Sequence, residues 1–349
     1  MSTVRILSVD GGGIRGLIPA VVLKALEEKV GKLSSAFHMI SGTSTGGIIA
    51  AALALGRDDL NAASLVDLYA NKGKDIFPSS WLSPVEGVVS DKYSPASLES
   101  LLKEDFGDAW LSDVTDTELL VTSYDIIRRR PEFFKSWRAR RDTDSRRDPS
   151  TDALAEDFRL RDVCRATSAA PTYFPPAQIT NRKNTGTPED SFTLIDGGMV
   201  ANNPAMCALA SARKLFPEAD NFFVLSLGTG QLTQPIDLSH HILGGALGWG
   251  ITTIIDLALG GPSDAVDYQL RQELATDDYH RFQTSLKGAS DAMDDASEAN
   301  VANLKALTQD LLDRNRAAFD SVVSTLKTPR DPLSVRNPVP AKDRVPELA

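Results

Sequence analysis

VRILSVDGGGIRGLIPAVVLKALEEKV, residues 4–30, joins three patterns without a break. Val4 to Val9 is a short run of strand-forming residues, and it runs into glycines at 11, 12 and 13. From Leu17 onward apolar residues recur at helical spacing, with charges gathered toward the end of the run. Strand, glycine loop and helix make half of a βαβ unit, and the other half follows at once. FHMISG (37–42) reads as a second strand, GTSTGG (42–47) as a loop, and GIIAAALALG (47–56) as an Ala-rich helix stopped by Gly56. The alternation predicts an α/β fold, with a mostly parallel central sheet sandwiched by helices.

Farther along, ELLVTSYDII (118–127), EFFKSW (132–137), FTLIDGG (192–198) and FFVLSLGTG (222–230) read as strands. NAASLVDLYANKG (61–73) and SPASLESLLKEDFG (94–107) read as helices, the second with Ser94 or Ser97 near its start as a cap. RLRDVCRATSAAPTYFPP (159–176) begins as a helix and is expected to be ended by its prolines, and residues 290–327 are helical in pattern. No repeat or linker divides the body, so one domain is expected over 1–327. A disordered tail is expected over 328–349, with prolines at 329, 332, 338, 340 and 346.

A net charge of −10 leaves no excess of Lys and Arg to neutralise phosphates, which argues against nucleic acid as a partner and against broad electrostatic adhesion to anionic membranes. The two cysteines, Cys164 and Cys207, form no C-x-x-C pair, so neither a zinc site nor a disulfide framework is expected. MSTVRILSV lacks the basic and apolar regions of a signal peptide. ILGGALGWGITTII (242–255) is too short to span a bilayer and is followed by Asp256. A cytoplasmic location follows as the expectation.

Gly11, Gly13 and Gly16 spell G-x-G-x-x-G, a dinucleotide-binding fingerprint. Such a site needs an acidic residue at the end of the second strand to bind ribose, and FHMISG ends in serine and glycine. Glu27 and Glu28 lie inside the first helix and cannot substitute. No cofactor is therefore expected. Gly42-Thr43-Ser44-Thr45-Gly46 is instead a G-x-S-x-G elbow, which presents a strained serine where the next helix aims its amides. A serine hydroxyl needs a base. None of His38, His240, His241 and His280 sits at a glycine-bounded strand end, whereas Asp196 closes an apolar strand and is followed by Gly197 and Gly198. A D-G hairpin turn is the alternative there, but NNPAMCALASARKLF (202–216) continues as a helix, not as a return strand.

DGGGIRG (10–16), GTSTGG (42–47) and DGG (196–198), in this order and at these separations, resemble the patatin-like phospholipases and lipid acyl hydrolases. TSAAPTYFPP (167–176), VLSLGTG (224–230) and MDDASEAN (293–300) extend the resemblance over residues 4–326. It implies the patatin-like variant of a three-layer hydrolase, which cleaves acyl esters with a Ser-Asp dyad and without metal or cofactor. Carried over by position, Ser44 is the nucleophile, Asp196 the base, and the amides of Gly11, Gly12 and Gly13 the oxyanion hole. Gly42 and Gly46 flank the elbow, and Arg15 stands where the family keeps a basic residue to hold the loop or the developing charge. The implied substrates are phospholipids or galactolipids, met by peripheral contact with a membrane. A nucleotide-gated membrane-degrading phospholipase, or a storage protein with residual esterase activity, is the alternative role. Residues 242–259 are expected to line an acyl cleft, dock on lipid, or form a buried helix. RRRPEFFKSWRARR (128–141) reads as a headgroup contact or as a solvated strand pair with Glu132, Asp142 and Asp144 as counter-ions.

Overall fold

The computed structural model describes residues 2–77, 92–140, 156–184, 190–232, 251–333 and 335, with backbone alone for 184 and 251–256. Its strands are β1 (Thr3–Val9), β2 (Met39–Thr43), β3 (Glu118–Asp125), β4 (Arg130–Lys135), β5 (Ala177–Thr180), β6 (Ser191–Asp196), β7 (Asn221–Leu227) and β8 (Tyr279–Phe282). Helices of eight residues or more among the described residues are α1 (Leu17–Val30), α2 (Thr45–Leu55), α3 (Ala62–Asn71), α4 (Ala96–Phe106), α5 (Leu160–Thr167), α6 (Ala205–Leu215), α7 (Ile251–Glu273), α8 (Glu298–Arg314) and α9 (Arg316–Lys327).

β8, β7, β1, β2 and β3 lie side by side, all parallel. Each side chain along a strand faces the layer opposite to its neighbour's. Leu7, Val9, Ile40, Leu119 and Val121 enter one apolar cluster with α1 and α2, while Val4, Ile6, Met39, Leu120 and Val224 enter a second with α6. Burial on both faces is why these strands read as nearly continuous apolar runs. The result is the expected mostly parallel α/β sheet between helices.

Departure from parallel pairing occurs at β3. One edge of β3 carries β4, antiparallel, over Leu120–Asp125. Its other edge carries two strands in succession: parallel β2 pairs with Glu118–Thr122, and antiparallel β6 pairs with Ser123–Asp125. Thr43, the last residue of β2, lies opposite Thr122, and Asp196, the last residue of β6, lies opposite Ser123. The two strands thus meet tip to tip along a single edge.

Several local expectations change. EFFKSW is strand only through Lys135, because Ser136–Ala139 turns helical and the Ser136 hydroxyl takes the Leu119 N–H at 2.9 Å. Glu132 is no solvated counter-ion but is buried. Loss of hydration, and next the charge of Glu156, push its carboxyl up to about 7. α5 stops at Thr167, ahead of Pro171. α4 has no side chain bonded at its cap residue Pro95, although the Ser94 hydroxyl accepts the Ala96 N–H at 3.3 Å. The helical pattern after 290 becomes helix only at Glu298, where Ser297 caps it, and breaks at Asn315. Residues 290–297 form a loop that reaches the glycine turn after β1.

The start of the expected tail is a strap. Arg5 donates to the Thr328 carbonyl at 2.9 Å and hydroxyl at 2.6 Å, and the Thr3 N–H reaches Asp331 at 2.7 Å. Arg330 bonds the carbonyls of Phe37 and Asp116, each at 2.7 Å. Asp142, Asp144, His240, His241, residues 242–250 and the tail from 336 lie outside the described residues.

Candidate active site

Ser44 sits between β2 and α2 with φ 54° and ψ −126°, a region that residues with a side chain rarely occupy. Gly42 and Gly46 make this turn possible. A Cβ on Gly42 would strike the carbonyl of Gly46, and one on Gly46 would strike that of Val9. The Ser44 N–H is held by the Thr167 hydroxyl at 2.8 Å, and that hydroxyl donates to the Thr122 carbonyl at 2.7 Å. The elbow is thereby fixed to β3 through α5.

Because β2 and β6 meet tip to tip, the two reactive side chains face each other. Ser44 Oγ donates to Asp196 Oδ2 at 2.6 Å. Asp196 Oδ1 accepts the Gly198 N–H at 2.7 Å, and its own N–H reaches the Ala169 carbonyl at 3.0 Å. Burial pushes the Asp196 carboxyl up to about 6, against the opposing pull of its bonds from Ser44 and Gly198. That value lies where a carboxylate is ionised at neutral pH yet far more basic than one in water.

The glycine turn after β1 lies beside them, with its three amides used differently. Gly11 donates its N–H to the Asn202 carbonyl at 3.1 Å, so it is committed to the fold. The N–H groups of Gly12 and Gly13 have no acceptor among the described residues. Gly13 has φ 60°, accessible to glycine at little cost, and packs on the Met293 backbone. Ile14 donates to the Met293 carbonyl at 2.8 Å, and the Thr229 hydroxyl to the Gly11 carbonyl at 2.6 Å. Arg15 is buried and donates to the Gly12 carbonyl at 3.2 Å and to the Asp291 carbonyl at 3.5 Å. Of its two expected roles, these bonds serve the holding of the loop.

Below the turn, Asp10 and Arg281 form a bidentate buried pair, with contacts of 3.0 and 2.5 Å, and Arg281 also bonds Ser226 at 2.8 Å. Cutting either partner would leave an uncompensated buried charge, typically a loss of about 3–5 kcal/mol. Arg281, Thr167, Asn202, Thr229 and Met293 escape the sequence reading. Each acts through a contact between residues distant in the chain; Thr167, Asn202, Thr229 and Met293 stood in quoted stretches with no role attached, and Arg281 stood in none.

Histidine supplies no base among the described residues. His38 accepts the Arg5 N–H at Nδ1 (2.9 Å) and meets the Asp331 carbonyl at Nε2 (3.0 Å). His280 bonds the Asp277 carbonyl at 3.1 Å and lies tilted against the Phe223 ring.

Ser44, Asp196, Gly12 and Gly13 open onto a cleft that is continuous with solvent. Its walls are apolar, including Ile48, Ile76, Phe77, Leu98, Phe174 and Met199. Leu259 of α7 lines it as well, so the described end of the 242–259 segment is cleft wall. Chemically, the arrangement offers a hydroxyl bonded to a basic carboxylate, free amides for a developing oxyanion, and room for a hydrocarbon chain. No group of His, Cys, Asp and Glu among the described residues is arranged to hold a metal ion.

A family model described as Patatin-like phospholipase matches residues 7–209. Patatin-like protein 2 of Oryza sativa subsp. indica is 32% identical, over 91% of this chain and 85% of its own length. Patatin-like protein 4 of Arabidopsis thaliana is 33% identical, over 89% and 84%. A relative from Solanum tuberosum described as Probable inactive patatin-3-Kuras 1 is 30% identical, over 89% and 87%.

Proposed function

Because the chain belongs to the patatin-like phospholipase family, we propose that it is a lipid acyl hydrolase working through Ser44 and Asp196. The observation that carries this reading is the 2.6 Å bond from a strained, cleft-facing serine to a buried carboxylate. Ser44 Oγ attacks the ester carbonyl as Asp196 Oδ2 takes its proton. The tetrahedral oxyanion is received by the amides of Gly12 and Gly13, each such donor typically contributing about 3 kcal/mol to the transition state. Gly11 keeps the turn in place, since its amide is bonded to Asn202. Asp196 returns the proton to the leaving alcohol, then draws one from the attacking water and passes it to Ser44 Oγ as the acyl group leaves as a carboxylic acid.

The apolar cleft suits a fatty acyl chain, and exposed Met199 in its wall and exposed Leu257, two residues before cleft-lining Leu259, suit contact with a lipid surface. No helix among the described residues is long and apolar enough to cross a membrane. One relative carries the description of an inactive protein, but here both dyad side chains are present and bonded, which favours an active enzyme over a purely storage role. The test is to incubate wild type and Ser44→Ala with vesicles of mixed phospholipid and galactolipid and measure free fatty acids. The variant is expected to lose roughly a thousandfold or more of the rate. Release at the wild-type rate would sink the assignment.

A further inference from the structure

Ser168 lines the cleft together with Ser44 and Asp196, and its Oγ is buried with no hydrogen-bond partner among the described residues. The residue is 8% exposed. Its backbone is fully used: the N–H bonds the Cys164 carbonyl at 3.2 Å, and its carbonyl takes the Ala170 N–H at 2.9 Å. The hydroxyl alone is idle. Both chain neighbours hold the dyad, Thr167 through the Ser44 N–H and Ala169 through the Asp196 N–H. Ser168 is therefore about 3.8 Å, Cα to Cα, from each of the two residues that fix the reacting pair.

A buried hydroxyl without a partner costs stability. Alanine would avoid that cost, and the next two positions, Ala169 and Ala170, are alanines. A donor held idle beside a reaction centre is useful when the substrate supplies the acceptor. The acyl chain has no acceptor beyond its ester group, and the ester carbonyl oxygen belongs to the Gly12 and Gly13 amides. The remaining oxygens near the scissile carbon lie on the alcohol side.

Resting on the dyad reading above, we propose that Ser168 is a substrate-binding residue whose hydroxyl donates to an oxygen of the leaving alcohol, such as the glyceryl part of a lipid. It sets a preference for esters of polyols over esters of simple alcohols.

The experiment compares monopalmitoylglycerol with ethyl palmitate in the same mixed micelles, for wild type and Ser168→Ala. The quantity read is the ratio of the two kcat/KM values. Labelling of Ser44 by an alkyl fluorophosphonate, which has no glyceryl oxygen, reports whether the dyad persists, and melting temperature reports the fold. The expected result is a fall of roughly tenfold in the ratio, the worth of one substrate hydrogen bond. Labelling persists and the melting temperature is not lowered, because an unsatisfied group has been removed. An unchanged ratio overturns the proposal. So does equal loss on both esters with loss of labelling, which marks a structural role. Accumulation of acyl-enzyme from both esters also overturns it, since the hydroxyl would then hold the hydrolytic water. A wild type neither labelled at Ser44 nor active on either ester overturns the dyad reading, and this proposal with it.

Discussion

At the scale of single residues, Asp196 is asked to be both buried and charged. Its carboxyl, raised to about 6, is protonated in the folded protein at pH values where an unfolded Asp is already ionised. The favourable protonated state is fully present below about pH 3.9 and is lost as pH rises through 6. Keeping the group ionised at pH 8 costs on the order of 3 kcal/mol. Asp196→Asn is therefore expected to melt higher than wild type at pH 8 and at the same temperature near pH 3.5, as calorimetry at the two pH values would show. The same variant should be nearly inert toward esters. In wild type, kcat/KM should rise with pH through about 6 as the base ionises. A variant that melts lower at pH 8, or a profile flat across pH 5–7, would contradict this account.

Elements carry the next layer, and the loop of residues 290–297, whose Met293 lines the cleft, shows how one can also support a site from outside it. Asp294 accepts the Tyr93 hydroxyl at 2.7 Å and pairs with Lys92. The backbone amides of Lys92 and Tyr93 bond the carbonyls of Thr172 and Tyr173 in the cleft wall, each at 2.9 Å. One residue earlier, Met293 holds Ile14 and with it the glycine turn. Asp294→Ala is expected to lower kcat for ester hydrolysis roughly tenfold by loosening the Gly12 and Gly13 amides, a fraction of the effect of deleting an oxyanion donor. Steady-state kinetics that leave kcat unchanged would separate this loop from the turn. The sequence hid this function behind a helical periodicity that begins eight residues too early, since local spacing cannot register a distant carbonyl acceptor. By contrast, the elbow and its flanking glycines were legible because Ser44, Gly42 and Gly46 satisfy a local steric requirement. Gly11 illustrates the opposite case. The resemblance implies it as an oxyanion donor by position, but its N–H is bonded to the Asn202 carbonyl, a contact no spacing encodes.

Across the whole molecule the strap and the cleft occupy opposite ends of the sheet. β1 enters at Thr3, where the strap binds, and leaves at Val9 toward the glycine turn, a rise of roughly 20 Å. A chain ending at Lys327 is expected to lose several degrees of melting temperature while keeping its specific ester hydrolysis. Burial drives the His38 imidazole down to about 4, so its contribution is present above pH 6.5 and fades as pH falls toward 4. The gap in melting temperature between the full and shortened chains should narrow over that interval. A gap that widens in acid would refute the role given to His38. The meeting of β2 and β6 along one edge of β3 has a last consequence. A proton acceptor mounted on a strand is located by ladder hydrogen bonds, so its placement is as accurate as the sheet itself. Slippage of β6 by one residue would bring Ile195 or Gly197 to the seam and leave the serine with nothing to receive its proton. Reactivity in this protein is in that sense a property of alignment, present or absent in whole steps, with no partly aimed state between.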